Sequence, residues 1–170
     1  MALPITTGAD LKTARERLGL TQACLSAEMG VVIRTYQAWE EDMRSSIPDV
    51  ASETLDEMQR KASRIVWRML ALISDIIEEK KEKVCSFVLY RYQKDEDLWK
   101  YWPEMKGFPA LYFSATVDRV SRELRADGIE THIVYINPEK YDAWLGSRED
   151  NEKNRFEWAR LEYEEKIGSH

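Results

Sequence analysis

The most constraining feature of this chain is the segment Leu18-Gly19-Leu20-Thr21-Gln22, which contains both a helix end and a helix start. Glycine ends helices because it readily adopts left-handed backbone angles, and threonine caps the first turn of the next helix. A second tight turn is expected at Gly30, before the run Thr35–Glu40. Apolar residues at helical spacing would pack these helices together: Leu18, Leu20, Leu25, Met29, Val31, Tyr36 and Trp39. The pattern predicts a helix-turn-helix, whose last helix can enter a DNA major groove.

Local signals place three helices in the first 48 residues. Thr7 and Asp10 form a capping-box pattern that predicts a helix from about residue 8 to Leu18. Thr21 should cap a second helix, from Gln22 to Met29, and a third should run from Ile33 to Asp42. Val32 stands where a Ser or Asn cap would be expected, so the third helix has a weak start.

Polar residues that packing does not explain lie on the second and third helices: Gln22, Arg34, Thr35 and Gln37. Gln22 begins the second helix, where amide groups can hold a DNA phosphate. Arg34 and Gln37 are three residues apart and share a helix face. Arginine can bond to guanine and glutamine to adenine through two hydrogen bonds each. These residues are candidate DNA contacts, although ordinary exposed side chains would give the same local pattern.

Arg15 and Glu40 have a different expected role, whereas Arg44 is a further candidate DNA contact. Arg15 and Glu40 lie on helices packed by their apolar neighbours, and either charge would be costly if buried alone. We expect a structural ion pair between them that joins the first helix to the third. Arg44, with the serines that follow it, either clamps a backbone phosphate or belongs to a plain surface loop.

Residues 9–48 resemble the phage-repressor (Cro and XRE) helix-turn-helix family, from Arg15 and the Leu18–Gln22 segment through Gly30-Val31 to Trp39-Glu40. The resemblance implies a pair at Arg15 and Glu40. It also implies DNA contacts at the positions of Gln22, Ile33, Arg34, Gln37 and Ala38.

The ending Tyr36-Gln37-Ala38-Trp39-Glu40, with a Ser-Ser-Ile-Pro run after it, is narrower. It resembles the branch that contains the anti-CRISPR-associated autorepressors, which implies a dimerisation domain beyond the helix-turn-helix. That branch often has a larger residue at the position of Ala38, and Val32 and Ile33 replace polar residues. The operator sequence therefore does not follow from the resemblance.

The charge balance opposes strong non-specific DNA binding. The net charge is −6, and residues 1–48 carry five positive and six negative side chains. A DNA-binding domain normally shows a basic surface, because it must neutralise phosphates. We therefore expect low affinity for unrelated DNA and dependence on a specific site.

The rest of the chain predicts a long helix followed by mixed helices and strands. Ser46-Ile47-Pro48-Asp49 signals a helix start, and the helix should extend from about 48 to 83. Its apolar residues follow a three-four spacing: Leu55, Met58, Ala62, Ile65, Met69, Leu72 and Ile76. Either a core helix or one shared between core and dimer interface fits this spacing. Strands are predicted at 84–92 and 131–136, with helices at 95–105, 112–126 and from 138 to about 145.

The predicted fold class is α+β. An N-terminal all-α helix-turn-helix domain (1–48) should precede an α+β dimerisation domain with a small sheet and a long connecting helix (49–147). Residues 148–170 are rich in charge and predict an amphipathic helix or a partly disordered tail.

Composition argues against an enzyme. The chain has two His and two Cys, none at metal-ligand spacing, and its seven Gly are scattered rather than gathered in a phosphate loop. We expect no catalytic residues, metal or cofactor. There is no signal-peptide pattern or membrane-length apolar run, which favours a cytoplasmic protein with no membrane partner.

The functional hypothesis is a homodimeric transcriptional repressor that binds double-stranded DNA at a palindromic operator. Its reading helices would lie about 34 Å apart on adjacent major grooves. The alternative is a protein-interaction or ligand-sensing module with a helix-turn-helix scaffold, in which the aromatic-rich region 87–144 binds the partner or effector. The effector, if one exists, is not identified by the sequence.

Overall fold

The computed structural model describes residues 5–43, 46–80 and 83–168. The described chain is mostly helical, with a small two-stranded parallel sheet, and belongs to the broad α+β class. No helix among the described residues has the length and apolar character needed to cross a membrane.

Three short helices open the fold: α1 (Gly8–Arg17), α2 (Gln22–Glu28) and α3 (Ile33–Glu40). The predicted caps of the first two are confirmed. Thr7 and Asp10 form a reciprocal capping box, and the Thr21 hydroxyl accepts a hydrogen bond from the Cys24 backbone N–H at 3.0 Å. Val32 makes no side-chain cap bond, as its apolar side chain requires. Helix α3 ends two residues before the predicted Asp42, which adopts a left-handed φ of 52° instead.

The long helix α4 (Asp49–Glu79) begins directly after Pro48 and ends four residues before the predicted position. Its buried face packs within the chain, against α1 and against a later helix, α6 (Ala110–Ala126). That face consists of Ala51, Leu55, Met58, Ala62, Ile65, Val66, Met69 and Ile73. The apolar stripe predicted from the sequence is therefore largely part of the core.

Two parallel strands, β1 (Ser86–Arg91) and β2 (Glu130–Tyr135), pair in register from Ser86 opposite Glu130 to Arg91 opposite Tyr135. The crossover between them contains α5 (Asp95–Tyr101), a 3₁₀ turn (Pro103–Met105) and α6. The sequence predicted one helix over 95–105. It is divided because the residue before a proline is disfavoured in helical geometry, and Trp102 accordingly leaves it, with φ −131° and ψ 73°.

The chain closes with α7 (Pro138–Leu145) and α8 (Glu152–Gly168). The charged tail was expected to be either an amphipathic helix or a partly disordered segment. Its described part is the helix α8, which packs on both strands. Phe156 anchors it, with its ring centroid 5.0 Å from that of Tyr90 and 5.3 Å from that of Phe87. Arg155 is buried and donates to the Asp150 carboxylate and the Tyr101 carbonyl oxygen.

The N-terminal helices and the α/β region meet at a close backbone contact. A Cβ added to Gly19 would lie only 2.3 Å from the Leu111 carbonyl oxygen, and Gly19 also has a left-handed φ of 67°. One hydrophobic core runs from Leu11 in α1 through α4 and α6 to Trp158 in α8. The three short helices are thus packed directly on the rest of the fold.

Candidate functional site

A buried ion pair connects α1 to the end of α3. Arg15 Nε lies 2.6 Å from Glu40 Oε1, and Arg15 Nη2 lies 3.1 Å from Glu40 Oε2. The two side chains are only 11% and 3% exposed. Arg15 Nη1 also donates to the Leu20 carbonyl oxygen at 2.8 Å, which ties the turn before α2 to the same group. The expected pair is present, and it fixes the relative positions of all three helices.

Electrostatics favour the charged form of this pair. Burial opposes ionisation of Glu40, but hydrogen bonds from Arg15 and Gln22 outweigh it, so the pKa of Glu40 lies below its ordinary value. The hydrogen bond to Glu40 raises the pKa of Arg15 above its own ordinary value. Both residues are therefore charged at neutral pH.

Two glutamines extend the pair toward the surface of α3. Gln22 Nε2 donates to Glu40 Oε2 at 2.8 Å, and Gln37 Nε2 donates to Gln22 Oε1 at 3.2 Å. Because a carboxylate can only accept, Gln22 must turn its NH₂ toward Glu40 and its oxygen toward Gln37. Gln37 must then turn its NH₂ inward as well. We call the four residues Arg15, Glu40, Gln22 and Gln37 the amide relay.

The amide relay changes the interpretation of Gln22. The sequence suggested that its amide holds a phosphate, whereas in the structure the amide is half-buried and bonded to two side chains. Gln22 is therefore placed to orient Gln37. No local sequence signal could have indicated this role, since its partners are 15 and 18 residues away along the chain.

The other candidate residues of α3 lie around Gln37. Arg34 is exposed and Ile33 is 40% exposed, while Thr35 and Ala38 are half-buried. Arg34 and Gln37 form no hydrogen bond with each other, although they are three residues apart on the same short helix. Arg44, the candidate phosphate contact, lies outside the described residues.

The aromatic residues of region 87–144, in contrast, lie mostly in the core. The buried ones are Phe87, Tyr90, Tyr92, Tyr101, Trp102, Phe108, Tyr112, Phe113 and Tyr141. A groove of about 640 Å³ lies between the end of α4, the start of β1 and α8, lined by charged and apolar side chains in mixture. The described residues contain no group of three or more His, Cys, Asp or Glu arranged to hold a metal ion.

Comparison with known proteins adds no assignment. No protein-family model matches this chain, and no curated protein sequence matches it significantly.

Proposed function

We propose that this protein is a sequence-specific DNA-binding regulator, a dimeric repressor that recognises an inverted repeat through α3. The observation that supports this most is the amide relay, which fixes Gln37 near the surface beside the exposed Arg34. A side chain that reads a base must be held in one orientation before binding, because each freely rotating bond adds an entropic penalty. The relay supplies that orientation without using a charged residue at the surface.

The chemistry of the exposed α3 residues suits base recognition. The arginine fork of Arg34 matches the O6 and N7 atoms of guanine in the major groove. With its NH₂ directed toward Gln22, Gln37 keeps its amide oxygen and one N–H for the donor and acceptor edge of adenine. Ile33 is exposed enough to contact a thymine methyl group.

The acidic net charge of −6 sets how the site must work. With few cations to neutralise phosphates, a single module would bind unrelated DNA weakly. Two modules on an inverted repeat double the number of base contacts and provide specificity. The alternative function requires the aromatic side chains of 87–144 to bind a ligand or partner. Most of those side chains form the core instead, which disfavours that alternative.

DNA selection tests the proposal. The full-length protein is incubated with random double-stranded DNA, bound fragments are sequenced, and affinity for the enriched site is measured against salt. Arg34→Ala and Gln37→Ala should each lose about 1–3 kcal/mol of binding free energy on that site. Two control variants, Arg122→Ala on α6 and Gln59→Ala on α4, remove the same side-chain types from exposed positions. Both should bind the enriched site as tightly as the parent protein. Failure to enrich any sequence, or unaltered binding by both α3 variants, would contradict the proposal.

A further inference from the structure

Helix α4 carries a second regular stripe on its solvent side. Six exposed residues repeat at spacings of four and three, on the side opposite the buried face: Arg60, Arg64, Trp67, Ala71, Ser74 and Glu78. We call these six residues the outer stripe. Trp67 at its centre is 72% exposed, and tryptophan is enriched among the residues that contribute most to binding energy at interfaces. This spacing places all six residues along one face of α4, where a second helix could contact them together.

The outer stripe is complementary to itself in one direction only. If two copies of α4 run antiparallel with their two-fold axis at position 69, Trp67 lies against Ala71 of the second copy. In the same alignment Arg64 lies opposite Ser74, and Arg60 lies opposite Glu78. The large tryptophan thus meets a small residue, and a cation meets an anion at both ends. A parallel alignment would instead place each charge opposite its own like charge.

We propose that the outer stripe of α4 is the homodimer interface, formed by antiparallel pairing with α4 of a second copy. This inference rests on the dimer in the proposed function and identifies the surface that forms it. The buried face of α4 stays in the core of each copy, so pairing requires no rearrangement of the fold. Two copies of Trp67 at the centre form the anchor, and two Arg60–Glu78 pairs at the rim set direction.

Sedimentation of the full-length protein over a concentration series tests the anchor. Trp67→Ala should raise the dimer dissociation constant about 10- to 100-fold, because a central tryptophan is removed from both copies. Its circular dichroism should match that of the parent, since the side chain lies outside the core. Tyr135→Ala, which truncates an exposed aromatic residue on β2, is the matched control and should leave dimerisation unchanged.

Charge exchange tests the direction of pairing. Arg60→Glu and Glu78→Arg should each weaken the dimer, and the double variant should restore it, because the exchanged pair has the same attraction. In a parallel dimer either single reversal would leave the like-charge repulsion at its position unchanged, and the double variant would show no rescue. Glu123→Arg on α6 controls for net charge.

The outcomes separate this inference from the proposed function. A dimer that persists in Trp67→Ala, or that Tyr135→Ala disrupts instead, overturns the outer-stripe interface and leaves DNA recognition intact. A parent that is monomeric at all concentrations overturns the interface and the dimer together. Base readout by Arg34 and Gln37 can then still be measured on a single half-site, so its failure would be seen independently.

Discussion

Removing the Glu40 carboxylate should destabilise the whole fold while leaving its apolar packing intact. In the structure Glu40 accepts three hydrogen bonds, two from Arg15 and one from Gln22, and only 3% of its side chain is exposed. Breaking a buried pair at one partner typically costs about 3–5 kcal/mol, because the other charge stays buried. Arg15 keeps its bond to the Leu20 carbonyl oxygen, so we expect the lower end of this range, about 3 kcal/mol, for Glu40→Ala.

Thermal unfolding followed by circular dichroism measures this loss. For a protein of this size each kcal/mol lowers the melting temperature by about 2–4 °C, so Glu40→Ala should melt about 6–12 °C below the parent. Glu41→Ala removes an exposed glutamate from the next position and should change the melting temperature by less than about 2 °C. A Glu40→Ala variant as stable as the Glu41→Ala control would refute the argument that this pair holds α1 and α3 together.

The same pair predicts a pH dependence with a definite sign. The pKa of Glu40 in the folded protein lies below its ordinary value: burial would raise it, but the hydrogen bonds from Arg15 and Gln22 prevail. Stability gained from the carboxylate is therefore complete above the unfolded-state pKa, about 4.3, and is lost as the pH falls through the folded-state pKa. The stability difference between the parent and Glu40→Gln should be largest at neutral pH and should shrink below about pH 4. A constant difference from pH 7 to pH 3 would contradict this cause.

Two glycine substitutions test the close backbone contact between Gly19 and Leu111. Gly19 and Gly30 have nearly equal left-handed φ values, 67° and 66°, but only at Gly19 would a Cβ meet another backbone, that of Leu111. Gly30→Ala should cost about 1–2 kcal/mol of unfolding free energy from its φ alone, and Gly19→Ala should cost clearly more; equal losses in urea unfolding would exclude the close contact. Val32→Ser should add the missing cap of α3 and stabilise the protein by about 0.5–1 kcal/mol, whereas an unaltered urea midpoint would show that the cap position is already satisfied.

The sequence predicted best where structure is decided by near neighbours. The caps at Thr7 and Thr21 act within three residues, and both helix starts were found where the side chains indicated. The strands β1 and β2 were also located, because short runs of β-branched and aromatic residues strongly favour strands. Boundaries were less accurate at the end of α4, where the charged residues favour a helix as well as a loop.

Distant contacts explain what the sequence did not show. The sequence of the charge-rich tail did not distinguish a helix from a disordered segment. The contact that holds α8 in place joins Phe156 to β1, some 70 residues earlier in the chain. Gln22 was correctly placed at the start of α2, but its two partners lie on another helix. The expected Arg15–Glu40 pair rested on the cost of burying one charge, a rule that needs no knowledge of the fold.

The backbone contact between Gly19 and Leu111 limits how far the α3 surface can reorient relative to the rest of the fold. A reading unit on a flexible linker can search several orientations, but it loses that freedom when it binds, which weakens the complex. Among the described residues the short helices are held directly against α6, since the backbones of Gly19 and Leu111 lie close together and the two regions share one core. In the proposed DNA complex, much of the entropy of ordering these helices would therefore be lost during folding rather than on binding. If the protein binds an inverted repeat as proposed, this rigid joint tolerates little variation in half-site spacing. A single base pair inserted between the half-sites should then weaken binding more than it would for a protein with hinged DNA-binding modules.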